Sequence, residues 1–123
     1  MTQTMKIPGP DHPIAIAPAA GRVTVRAGGV VIASSDRALA LCEANYPPVL
    51  YIPRADVALD RLQRTAHATH CPYKGDCAYF SIADAGAHGT NAAWSYEAPY
   101  PAVAAIAGHL AFYPDRVDAI DVG

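Results

Sequence analysis

The chain reads as a mainly β protein: one compact β-rich domain, sandwich or barrel-like, of about seven short strands with one short helix. Three observations predict this. Apolar and polar residues alternate in several short runs, as half-buried strands require. Eleven prolines and nine glycines interrupt the chain throughout, and long helices tolerate few such breaks. At 123 residues, 52% hydrophobic and 16% charged, the chain can fill one core but not two ordinary domains.

The elements follow in order. Residues 1–20 carry Pro8, Pro10, Pro13 and Pro18 without a helical period. They are expected to be an N-terminal arm, laid over the domain or partly disordered, ahead of a single domain at 21–123. Val23 and Val25 alternate with Thr24 and Arg26, and Gly28-Gly29 separates them from Val30-Val31-Ile32-Ala33. That is a hairpin turned by two residues able to take positive φ. Over Ser34–Ala44 the period changes. Ser35 or Asp36 caps a predicted helix that turns Leu39 and Cys42 inward. Val49–Ile52 is a strand stopped by Pro53, and Arg54–Leu62 is read as at most one helical turn. Gln63–Ile82 gives two strands around the turn Cys-Pro-Tyr-Lys-Gly. Asn91–Ala98 is a strand with Trp94 and Tyr96 on one face, and Ala102–Ala107 is a helical turn. His109–Tyr113 and Arg116–Ile120, either side of Pro114-Asp115, are expected to close the domain as a hairpin.

Bulk properties exclude some functions. The net charge is −2, and no run of Lys or Arg exceeds one residue, so the basic footprint of a nucleic-acid binder is missing. No apolar stretch approaches a membrane span. The first twenty residues, with one lysine and early prolines, make a poor signal peptide, so a cytoplasmic protein is expected. Three cysteines, Cys42, Cys71 and Cys77, are an odd set that suits free thiols better than a disulfide framework.

The densest chemistry lies in Thr69–Tyr79, THCPYKGDCAY. Zinc knuckles space their cysteines two to four residues apart. Here five residues intervene and no second pair exists, so no metal site is assigned. Cys71 beside Lys74 has the ingredients of an activated thiol, yet no cysteine-hydrolase signature accompanies it. Lys74 is the better candidate. Proline fixes the start of its turn and glycine permits the end, so its ammonium is a preorganised point charge for a carboxylate or phosphate. Glu43, at the end of the predicted helix, opposes the helix dipole, and with Lys74 would form an acid–base or ion pair. Asn91, Trp94, Tyr96, Tyr100, Phe112 and Tyr113 supply polar and aromatic groups of the kind that line small-molecule pockets. Phosphate-loop and dinucleotide motifs are missing, and no cofactor is assigned.

Pro48–Val57, Thr69–Tyr79, Asn91–Glu97 and Ile106–Val117 together resemble, in order, the blocks of the domain of unknown function 427 family. The resemblance runs from about Gly21 to Val122. It implies a compact β-rich fold and a pattern centred on Glu43, Tyr51, Pro53, Arg54, Lys74, Gly75, Asn91, Trp94 and Tyr96. One classification labels the family nucleotidyltransferase-like, but this chain has neither a Gly-Ser pair nor a paired-Asp strand motif.

The leading expectation is a pocket for a small anionic metabolite. Lys74 and Arg54 would supply positive charge and Glu43 a carboxylate for acid–base work or ligand orientation. Tyr51, Asn91, Trp94 and Tyr96 would form the walls. Two alternatives stand beside it: an interaction module binding a partner chain or an identical copy through the strand around Trp94, and a nucleotide enzyme. No nucleic-acid or membrane partner is expected, and a homo-oligomer is left open.

Overall fold

Gly28 and Gly29, at φ +58° and +77°, turn the chain as their residue type predicts. They join β2 (Val23–Ala27) to β3 (Val30–Ser35) in an antiparallel hairpin. A Cβ on Gly28 would collide with the Asp84 carbonyl, so this turn also serves close packing. The computed structural model describes residues 4–123. Within them are β1 (Ile14–Pro18), β4 (Leu39–Glu43), β5 (Val49–Tyr51), β6 (Leu62–Cys71), β7 (Gly75–Ile82), β8 (Ala93–Ser95), β9 (Ala111–Phe112) and β10 (Ala119–Val122). They form three antiparallel sheets, ordered β1-β4-β5, β10-β2-β3 and β6-β7-β8-β9, and no closed barrel. The protein is mainly β, with ten strands among the described residues where about seven were expected from turn signals.

Two hydrophobic cores lie between the sheets. One gathers Val23, Val25, Ile32, Ile52, Phe80, Ile82, Leu110 and Phe112. The other gathers Leu41, Tyr51, Cys77, Tyr79, Tyr96, Val103, Ile106 and Ala111. Strand β7 serves both: Cys77 and Tyr79 enter the second core, Phe80 and Ile82 the first. Both of its faces are therefore covered, which is why its sequence runs apolar without clean alternation.

The expected helix at Ser34–Ala44 is a strand, and the only helical pieces among the described residues are short 3-10 turns. Leu-Ala-Leu-Cys-Glu fits either period, because Leu39 and Leu41 alternate as well as they follow a helix. Pairing on both sides, with β1 and β5, decides for the strand. Tertiary context thus overrides the helix propensity of Ala, Leu and Glu. Leu39 and Leu41 face the second core and Cys42 is exposed, the reverse of the helical assignment for Cys42. Ser35 caps nothing; its hydroxyl donates to Asp56 at 2.5 Å and accepts from the Arg37 N–H at 3.0 Å.

The expected closing hairpin also does not form. Strand β9 pairs with β8, while β10 pairs with β2 at the far end of the chain. Of the segment read as an arm, Ile14–Pro18 is a sheet strand against β4, and the Lys6 N–H donates to the Pro72 carbonyl at 2.8 Å. No helix among the described residues is long and apolar enough to cross a membrane.

Candidate functional site

Cys71 and Gly75 pair across the β6–β7 hairpin, leaving Pro72-Tyr73-Lys74 as a three-residue loop. Gly75 sits at φ +109°, where other residues are strained. The Lys74 N–H donates to the Cys71 carbonyl at 3.2 Å, and its own carbonyl accepts from the Tyr100 N–H at 3.0 Å. With its backbone tied on both sides, Lys74 turns its side chain inward until the residue is only 8% exposed. Lysine is almost never so buried unless paired. Its partner is Glu43, the last residue of β4: Lys74 Nζ donates to Glu43 Oε1. The second carboxylate oxygen, Oε2, accepts from His12 Nε2 at 2.7 Å. The His12 ring lies flat on Tyr73, with centroids 4.0 Å apart and planes 7° apart. Lys74 Nζ also sits 5.8 Å from the centre of the Tyr96 ring.

The electrostatics follow from burial. Desolvation works to raise the Glu43 carboxyl, but hydrogen bonds and charge from Lys74 and His12 outweigh it and hold the group below its ordinary value. Burial pushes the phenols of Tyr51 and Tyr96 far above the usual tyrosine range and raises Tyr79 to about 12. Burial also raises the Cys77 thiol. Near neutral pH Glu43 is thus an ionised carboxylate, flanked by hydroxyl and thiol groups that keep their protons. Held low and bonded through both oxygens, the Glu43 carboxylate is a weak base and acts as a fixed negative charge.

A family model described as a domain of unknown function, DUF427, matches residues 15–123. The chain belongs to the DUF427 family. A comparison with curated proteins finds no match.

In this DUF427 domain the other expected site residues divide. Tyr51 and Tyr96 share the second core beside the Glu43–Lys74 pair. Trp94 stands edge-on to Tyr51, with centroids 6.4 Å apart, and is tilted against Tyr113 at 4.5 Å. Its indole N–H donates to the Tyr51 hydroxyl at 3.4 Å. Asn91 is away from the pair: at φ +51° it accepts from the Thr65 hydroxyl at 2.6 Å, and its N–H donates to Ser81 at 3.0 Å. Arg54 is not brought to Glu43 or Lys74 either. It donates to the Gly108 carbonyl at 3.1 Å and to Glu97 at 3.0 Å, with its guanidinium 5.7 Å from the ring centre of Phe80, in the first core. Arg64 grips the same Glu97 with two bonds, at 2.9 and 2.8 Å. These contacts hold Glu97 below its ordinary value, Arg64 contributing most.

Sequence reasoning missed His12 and the Arg64–Glu97 pair. His12 sits in a proline-rich stretch with no local pattern, and only the β1–β4 pairing delivers it to Glu43. Arg64 precedes a register shift in β6, where two extra residues bulge out before Ala68. The bulge borders a cleft of about 400 Å³ lined by Arg64, Thr65, His67, Asp76 and Glu97. Glu43 also lacks the opposed helix dipole that first singled it out, since β4 is a strand. Among the described residues, no three His, Cys, Asp or Glu side chains gather where they could hold a metal ion.

Proposed function

We propose that this domain binds a small anionic metabolite at the Glu43–Lys74 pair, with Tyr51 and Tyr96 as walls and Glu43 orienting the ligand. One observation carries the reading. Lys74, 8% exposed on a turn fixed by Pro72 and Gly75, is held by a single carboxylate. Lys6 Nζ lies 5.9 Å from the centre of the neighbouring Tyr73 ring, on which His12 stacks. A buried ion pair stabilises a fold little compared with apolar packing, whereas an oriented ammonium in a low-dielectric setting recognises anions well. Arg54, engaged by Glu97 against the first core, is left out of this site.

The test is calorimetry with phosphate and with malonate, alongside native mass spectrometry of ligands that co-purify. Lys74→Met keeps the length of the side chain and removes its charge. It is expected to weaken binding at least tenfold and to empty the co-purified load, while Arg54→Gln leaves both unchanged. Equal loads and equal affinities in wild type and Lys74→Met would sink the proposal.

A further inference from the structure

The segment that brings His12 to Glu43 is held differently from the rest of the molecule. The Lys6 N–H bonds the Pro72 carbonyl at 2.8 Å, and Lys6 Nζ lies 5.9 Å from the centre of the Tyr73 ring. Gly9 and His12 pair with each other across a tight turn. His12 then stacks on Tyr73 and donates to Glu43, and the Pro13 carbonyl accepts from the Ala44 N–H at 2.8 Å. Residues 4–13 thus cross directly over the turn that carries Lys74. None of them is buried, and the two large apolar side chains, Met5 and Ile7, are 45% and 69% exposed. A segment fastened by a few polar contacts without apolar burial opens at low free-energy cost.

We infer that residues 4–13 are a strap that gates the Glu43–Lys74 site, with His12 as its latch on Glu43. This rests on the anion-binding reading for its purpose but not for its test. In the closed state Glu43 is shared, one oxygen to Lys74 and one to His12. His12 touches the Glu43 carboxylate from β4 and the Tyr73 ring from the β6–β7 turn; Lys74 shares that carboxylate, and Lys6 lies near the same ring.

The chain has only two lysines, Lys6 and Lys74, which gives a direct assay. Acetylation by an activated ester, read by mass spectrometry, reports the rate at Lys74 relative to the exposed Lys6. His12→Ala removes both latch contacts. His12→Phe keeps the stack on Tyr73 and removes the bond to Glu43, and it guards against a general loss of structure. Both variants are expected to raise the Lys74-to-Lys6 ratio at least fivefold, with the larger rise in His12→Ala, and amide exchange at Lys6 and Ala44 should quicken in step. An unchanged ratio in both variants would overturn the strap, whatever phosphate or malonate does. If the ratio rises while neither anion binds wild type or variant, the gate stands and the anion reading falls.

Discussion

Two clusters of opposite charge sit against different cores of this domain, and burial separates them. In one, Glu43 and Lys74 have side chains 16% and 10% exposed. In the other, Glu97 is 37% exposed and its partners Arg54 and Arg64 are 35% and 57% exposed. The second cluster has more hydrogen bonds and a bidentate arginine, so by geometry alone it is the stronger. Water weakens it, however, because exposed pairs are screened and gain little over hydration. The first has fewer bonds, but each partner depends on the other, since either charge left alone would be stranded away from water.

Single substitutions test that contrast most severely. Glu43→Gln leaves the Lys74 ammonium without a counter-charge and is expected to cost about 3 kcal/mol in urea unfolding. A smaller effect awaits the double variant Glu43→Leu/Lys74→Met. Both charges are replaced by apolar groups of similar size, so it should lose less than Glu43→Gln alone; an equal or greater loss would mean the pair itself stabilises the fold. Glu97→Gln should cost less than about 1 kcal/mol, and the loss should shrink as salt is added. If Glu97→Gln proved the costlier change, burial would not be what distinguishes the clusters.

Acid gives a gentler comparison. Both Glu43 and Glu97 are held below the ordinary carboxyl value of 4.5 in the folded protein. Unfolding therefore takes up protons, and the stabilisation is complete above the unfolded value and lost as pH falls through the lower folded ones. The urea midpoint of wild type should decline as pH is taken below 4.5. Glu43→Gln and Glu97→Gln should each flatten that decline, Glu97→Gln the more so at low salt than at high salt. A decline unchanged in both variants would assign acid sensitivity to other carboxyls.

What the sequence discloses follows the range of the interactions. The Gly28-Gly29 hairpin and the paired strands around Cys71–Gly75 are legible because a turn and its two flanking runs lie side by side in the chain. Glu43 and Lys74 were legible as chemical types on constrained segments, although Glu43 was singled out for a helix dipole that β4 does not have. The rest required long-range pairing. Leu39–Glu43 becomes a strand only because β1 and β5 flank it, and His12 reaches Glu43 only through that same sheet. Arg54 shows the converse: a cation next to a strand stop reads as available, yet Glu97 and the Gly108 carbonyl had already claimed it.

The pairing of β10 with β2 has a consequence for how the molecule is made. The sheet β10-β2-β3 takes two neighbouring strands, Val23–Ala27 and Val30–Ser35, and a third, Ala119–Val122, that follows every other strand described. While the chain is being synthesised, the early hairpin must wait with one edge bare, its partner residues Ala119–Val122 still inside the ribosome. Val23 and Val25, wholly enclosed in the finished protein, are without their cover for that interval. Folding dominated by such distant contacts is slow and leaves strand edges open to other chains. A nascent chain stalled before Ala119 is therefore expected to depend on chaperones more than a chain that already includes Ala119–Val122.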